Sequence, residues 1–158
     1  MTWARGRDEV QRLVDDGELE IVEASTDVAD RLLQDADAHV RLASLGIDDD
    51  PAGALQLSYD AARKASAALL AVQGLRATTR GGHIAVIDAV RAQFNDRGGV
   101  PVFGQINRLR RRRNDTEYPS PTTPGVTPGD ATQALDLAAE TIDGARKLLD
   151  SGRLDEFS

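Results

Sequence analysis

Cysteine is absent from this chain of 158 residues, which excludes a disulfide framework, a thiolate zinc site and a cysteine nucleophile and leaves packing to hold the fold together. Also missing is any strongly apolar run approaching the roughly 20 residues that a bilayer-crossing helix needs, and the opening M-T-W-A-R-G-R-D has no signal-peptide core. A cytoplasmic protein with no membrane association is therefore expected. Histidine is limited to His39 and His83, far apart and without H-E-x-x-H spacing, which speaks against a dedicated transition-metal site. The acidic run Asp48-Asp49-Asp50 lacks the glycine and glutamate of a calcium loop and reads as a helix cap. Gly81-Gly82 has neither a following Gly-Lys-Ser/Thr nor a preceding strand, so it is not a phosphate loop, and no G-x-S-x-G nucleophile elbow occurs. Nothing in the pattern calls for a metal or a cofactor.

What is present is enough apolar material, 41% of residues, for one proper core in a single domain spanning 1–158. The net charge of −7 opposes a general nucleic-acid surface. The charge is unevenly placed, however. Between Arg76 and Arg113, nine arginines stand against Asp88 and Asp96, a net +7 that leaves −14 for the rest, so a local anion site is possible. Only Lys64 and Lys147 accompany seventeen arginines. A GC-rich coding bias would explain that count, but not the clustering.

Along the chain, residues 1–24 are expected to be weakly structured, with Asp8–Val14 a weak helix broken at Asp15-Asp16-Gly17. Ser25-Thr26 should cap a helix whose apolar stripe is Val28, Leu32, Ala36, Val40 and Ala43, ending near Gly46. Asp50 and Pro51 open the next helix, with Leu55, Tyr59, Ala62, Ser66, Leu69 and Gln73 on its face and alanines allowing close helix approach, ending at about Gly74. His83 opens a helix carrying Ile84, Ile87, Val90 and Phe94, followed by a loop over Asn95–Pro101. A further helix should run from about Val102 through the arginines and stop near Tyr118, because Pro119 disfavours helix before it. Residues 119–129 form a proline-rich connection, and a last helix from about Asp130 carries Ala131, Leu135, Ala138, Ile142, Ala145 and Leu149. No β-strand is evident. The expected fold is all-α, an up-and-down bundle of four to five main helices.

Consecutive arginines commonly form a solvated helical face. Register sets one of them apart here: Val102, Ile106, Leu109 and Arg113 follow at four, three and four, so Arg113 falls on the apolar stripe. A guanidinium there needs an acceptor, whether a carboxylate such as Glu117 or Asp60, a bound phosphate or a partner subunit. Arg110, one turn earlier, flanks the same side, while Arg111 and Arg112 point outward. Tyr59 should pack its ring in the core, with Arg113 as one possible partner for its hydroxyl. His83 reads either as a base supplied to the arginines from another helix or as a residue that caps and packs, and His39 as a boundary residue.

The stretch R-N-D-T-E-Y-P (Arg113–Pro119) at the end of a basic helix resembles the signature region of the HEPN superfamily, the higher eukaryotes and prokaryotes nucleotide-binding domains. Y-D-A-A-R-K-A (Tyr59–Ala65), Q-G-L-R (Gln73–Arg76), G-G-H (Gly81–His83), D-G-E-L-E (Asp16–Glu20) and the last alanine-rich helix are similar to a bacterial branch of it. The resemblance implies a homodimer and a metal-independent endoribonuclease motif, in which an arginine and a polar residue precede a histidine. It implies a setting in toxin–antitoxin or phage-defence systems, with an antitoxin or nucleotidyltransferase as partner. Arg113 matches the arginine and Asn114 the polar residue, but Tyr118 stands where the histidine belongs. Such chemistry needs a base for the RNA 2′-hydroxyl and a cation for the developing phosphate charge. An unperturbed phenol, with a pKa near 10, is a poor base at neutral pH. The expected site is therefore Arg113, Asn114, Glu117 and Tyr118, with Arg110, Arg111 and His83 binding phosphate of RNA or of a nucleotide. The rival expectation is a non-catalytic helical interaction module.

Overall fold

The computed structural model describes residue 3 and residues 5–95 and 101–158. The loop expected around Gly98-Gly99 and the side chain of Val102 lie outside the described residues. Among the described residues there are six α-helices: α1 (Arg7–Asp15), α2 (Thr26–Gly46), α3 (Pro51–Val72), α4 (Gly82–Phe94), α5 (Ile106–Glu117) and α6 (Pro128–Asp150). They make an all-α bundle, as the periodicities predict.

The helix starts follow from local chemistry. Ser25 Oγ accepts from the Val28 amide, and Asp50 Oδ1 accepts from the Gly53 amide just ahead of Pro51. At α6, Thr127 and Asp130 close a capping box, each side chain accepting the other's backbone N–H. Each cap satisfies amides that a helix start leaves without intrahelical partners, a contribution of about 1 kcal/mol.

Helix α3 is the centre of the bundle, packed along its length against α2 and α6. Its predicted face, Leu55, Tyr59, Ala62, Ser66, Leu69 and Gln73, is buried throughout. Ala61, Ala62, Ala65 and Ala68 are fully buried as well. Small side chains on several sides let neighbouring helices approach closely. Ser58 and Ser66, also buried, return their hydroxyls to the carbonyls of Ala54 and Ala62, which satisfies them without an external partner.

The structure corrects four expectations. Of the segment 1–24, expected to be weakly structured, residues 7–15 and 19–21 form regular elements. Val10 and Leu13 of α1 are fully buried, and Leu19–Ile21 form a strand, β1, paired antiparallel with β2 (Leu75–Ala77) in the register Leu19↔Ala77. Two strands of three residues are too short to display alternation in the sequence. On α2, Val28 is half exposed and the buried line is Ala29, Leu33, Ala36 and Ala43, so the stripe lies one residue further along at its start. Ile84 is likewise half exposed, α4 burying Ala85, Val86, Ile87, Ala89 and Val90 instead. Finally, Pro101–Gly104 form a 3-10 turn, and α5 begins only at Ile106.

The β-ribbon fixes where α4 starts. The Thr78 amide donates to the Glu18 carbonyl, and Thr78 Oγ1 accepts from the Gly81 amide. A Cβ at Gly81 would collide with the Glu18 carbonyl oxygen. Gly81 therefore serves close packing of ribbon on helix, while Gly82 takes a positive φ of 54°, and together they set His83 at the start of α4.

Candidate anion site

Helix α5 has only two buried side chains, Ile106 and Leu109, and both anchor its stripe to the core. The next position on that stripe is Arg113, so the helix axis itself carries a guanidinium inward. The Arg113 side chain is 22% exposed, far less than a solvated arginine. Its Nη1 pairs with Glu117 Oε2 at 2.6 Å and donates to Asn114 Oδ1 at 3.4 Å, while its buried Nε has no hydrogen-bond partner. A cation followed by an anion four residues later is the weaker order for a helical pair and contributes a few tenths of a kcal/mol.

Beneath the guanidinium lies Tyr59 of α3, fully buried, with its ring centroid 5.8 Å from Arg113 Cζ. His83 at the start of α4 also packs on that ring, centroids 5.8 Å apart and tilted by 47°. One turn along α3 from Tyr59 stands Arg63, 3.7 Å from Asp60 and also with a buried Nε that nothing accepts from. Arg110 donates through Nε to the neutral Asn107. Arg113 thus lies over Tyr59, Arg63 and Arg110 are near enough to act on its phenol, and the carboxylates Asp60 and Glu117 pair with Arg63 and Arg113.

The titration behaviour of the aromatic groups follows from this setting. Burial pushes the Tyr59 phenol up to about 12, against the opposing pull of Arg63, Arg110 and Arg113. The tyrosine therefore stays a neutral O–H donor, and that hydroxyl is buried without a partner. His83 is held below the usual imidazole range, first by desolvation and then by repulsion from Arg63 and Arg113. At neutral pH it carries a free lone pair. Unsatisfied buried donors are costly, and here three of them, Tyr59 Oη and Arg63 Nε of α3 and Arg113 Nε of α5, belong to one cluster.

Of the residues singled out in the sequence, the structure brings together Arg113, Asn114, Glu117, Arg110 and His83. Tyr118 is left outside, ending α5 with its side chain 76% exposed, and Arg111 is exposed on the far face. Arg112 does not point outward as expected. Half-buried, it donates to the carbonyls of Pro124 and Gly125 and to Asp130 Oδ2 at 3.4, 3.2 and 3.3 Å, tying the proline-rich connection to α5. Arg63 was not anticipated. Its signal was available: four residues after Tyr59 on a helix rich in buried alanine and leucine, it breaks an inward face as Arg113 does on α5.

The class that fold and site define is an all-α bundle with a small two-stranded ribbon and an arginine-rich cluster over a buried tyrosine. In comparisons with family models, curated proteins and solved structures, no match to this chain was found. Among the described residues no helix is long and apolar enough to cross a membrane, and no group of three or more His, Asp or Glu is placed to hold a metal ion.

Proposed function

We propose that this chain binds the phosphate of RNA or of a nucleotide at the cluster formed by Arg63, Arg110 and Arg113 around Tyr59 and His83. The observation that carries the reading is the excess of donors: three guanidinium groups against two carboxylates, with the Nε atoms of Arg63 and Arg113 and the Tyr59 hydroxyl all buried without partners. Phosphate oxygens are the acceptors that arginine forks match best. The likeness of Arg113–Pro119 to the HEPN signature supports the same assignment, and with it a homodimer in a toxin–antitoxin or defence setting.

Cleavage of RNA is the further step within this reading. Neutral His83, facing the guanidinium groups from α4, is a better base than Tyr118, which points away, or Glu117, which Arg113 neutralises. Incubating the purified protein with mixed RNA alongside Arg113→Ala and His83→Ala tests both steps. Binding that depends on Arg113 supports the phosphate site. Cleavage that needs both residues supports the nuclease, and no arginine-dependent binding or cleavage removes the proposal.

The exposure of Tyr118 favours one second reading, in which a nucleotidyltransferase partner adds AMP to its hydroxyl. Intact mass after co-expression with a neighbouring transferase gene would show the added nucleotide on wild type and not on Tyr118→Phe.

A further inference from the structure

The arginine cluster has an apolar neighbour. A groove of about 490 Å³ opens beside it, floored by Ala67, Leu70 and Ala71 of α3 and walled by Val28 and Leu32 of α2 and Val86 of α4. Arg63 lines its edge and is also the cation with most influence on Tyr59 and His83. The two sites are successive stretches of one seam. Along α3, Tyr59, Arg63, Ala67 and Leu70 follow at four, four and three, and along α4, His83 and Val86 follow at three, so each step is about one helical turn. The seam thus passes from donors to aliphatic side chains, with Arg63 at the junction.

Ligand pockets of several hundred Å³ are mostly apolar, with a few polar groups that orient the ligand; here the polar lining is Glu23, Ser25, Arg63 and Arg76, and Arg76 is already paired with Glu20 at 2.6 Å. No aromatic residue lines it, so it offers nothing for a nucleobase to stack on, an interaction of about 1–3 kcal/mol per base elsewhere. Aliphatic walls suit an aliphatic chain. Val28, half exposed at the mouth, gives a chain apolar surface to cover on entry. Arg63, whose carboxylate contact is the long one to Asp60 at 3.7 Å, offers a cation to an anionic head group.

We propose that the groove binds a single-chain amphiphile of the fatty-acid class, its alkyl chain against Ala67, Leu70 and Val86 and its anionic head group on Arg63. The site goes beyond the phosphate reading: it uses Arg63 but requires neither Arg113 nor RNA. A carboxylate and a phosphate monoester head would present the same chemistry to Arg63, and the two are separable by experiment.

Titration calorimetry of the full chain with decanoate below its aggregation range, with decyl phosphate and with 1-octanol, provides the test. Saturable one-to-one binding of decanoate is expected, with decyl phosphate revealing which head group is preferred and 1-octanol binding more weakly. Arg63→Gln should weaken decanoate at least fivefold and leave 1-octanol unchanged. Val28→Glu, at an exposed mouth position that leaves the core intact, should also weaken decanoate, whereas Arg113→Ala should leave it unaltered while reducing RNA binding. Ala67→Phe should block every ligand, and its melting temperature shows whether it folds. Absence of saturable binding to wild type overturns the proposal, as does decanoate binding indifferent to both Arg63→Gln and Val28→Glu. Light scattering that shows the groove covered by a second copy, with Val28→Glu yielding monomers, overturns it too.

Discussion

Arg112 and Arg113 are neighbours in sequence, on one helix, with the same side chain, and the bundle gives them opposite tasks. Arg112 turns toward α6 and donates to two carbonyls and a carboxylate, holding the chain between α5 and α6. Arg113 turns toward α3 and α4, where its Nε finds no acceptor among the described residues and the carboxylate it pairs with is Glu117 on its own helix. The difference is one of completion. A guanidinium whose donors are used within the fold is a fastener, whereas one held partly desolvated with donors to spare is equipped for a ligand. The roughly 100° rotation between consecutive helical residues is sufficient to separate these roles.

The comparison breaks most sharply on binding. Arg113→Ala should lower affinity for single-stranded RNA by about 10- to 100-fold, the range for a lost charge-assisted hydrogen bond of about 1.5–3 kcal/mol. Its log–log salt slope should fall by about 0.7 if one phosphate contact goes. Filter binding at several salt concentrations measures both, and an unchanged affinity would place Arg113 with the fasteners.

Arg112→Ala should act on stability instead. Loss of its three long bonds is expected to cost about 1 kcal/mol, or roughly 2–4 °C in melting temperature for a chain of this size. Faster amide exchange over residues 119–129 should accompany it, with RNA affinity kept within about twofold. If Arg112→Ala weakens RNA as much as Arg113→Ala does, the division of labour fails.

Tyr59→Phe removes the unpartnered buried hydroxyl. Thermal unfolding should show the variant as stable as wild type or more so, by up to about 1 kcal/mol, together with weaker phosphate binding. A strongly destabilised variant would mean that the hydroxyl already has a partner in the fold.

The smallest effect concerns pH. His83 in the folded chain resists protonation, whereas the unfolded chain binds that proton near pH 6.5. The stability associated with neutral His83 is therefore complete above about pH 6.5 and is lost as pH falls toward the depressed folded value. A phosphate bound among the arginines would oppose their repulsion and raise that value. Titration of the imidazole signals by NMR should show His83 moving up on addition of a short RNA. His39, lowered by its own burial and by Lys64 on the α2–α3 face, should stay put and serves as the internal control.

Much of this was legible beforehand. The caps Ser25 and Asp50, the face of α3 from Leu55 to Gln73 and the inward register of Arg113 all depend on spacing within one helix, where 3.6 residues per turn convert sequence directly into geometry. The β-ribbon was not legible, because Leu19 and Ala77 meet over a long stretch of chain and neither strand is long enough to announce itself. The role of Arg112 was hidden for a similar reason. Its acceptors, the carbonyls of Pro124 and Gly125, are backbone atoms whose positions depend on how the connection folds back.

By itself, then, the sequence determined the main helices, the caps Ser25 and Asp50, most of the buried faces, and the fact that one arginine of a run would point inward, since these are local consequences of side-chain period and hydrogen bonding. Only the tertiary structure decided what Arg113 would meet. Arg63 and His83 come from helices separated from it in the chain, and whether three guanidinium groups collect around one buried phenol depends on how α3, α4 and α5 pack. No local pattern encodes that meeting, because electrostatic and steric coupling between distant residues exists only once the core has brought them together.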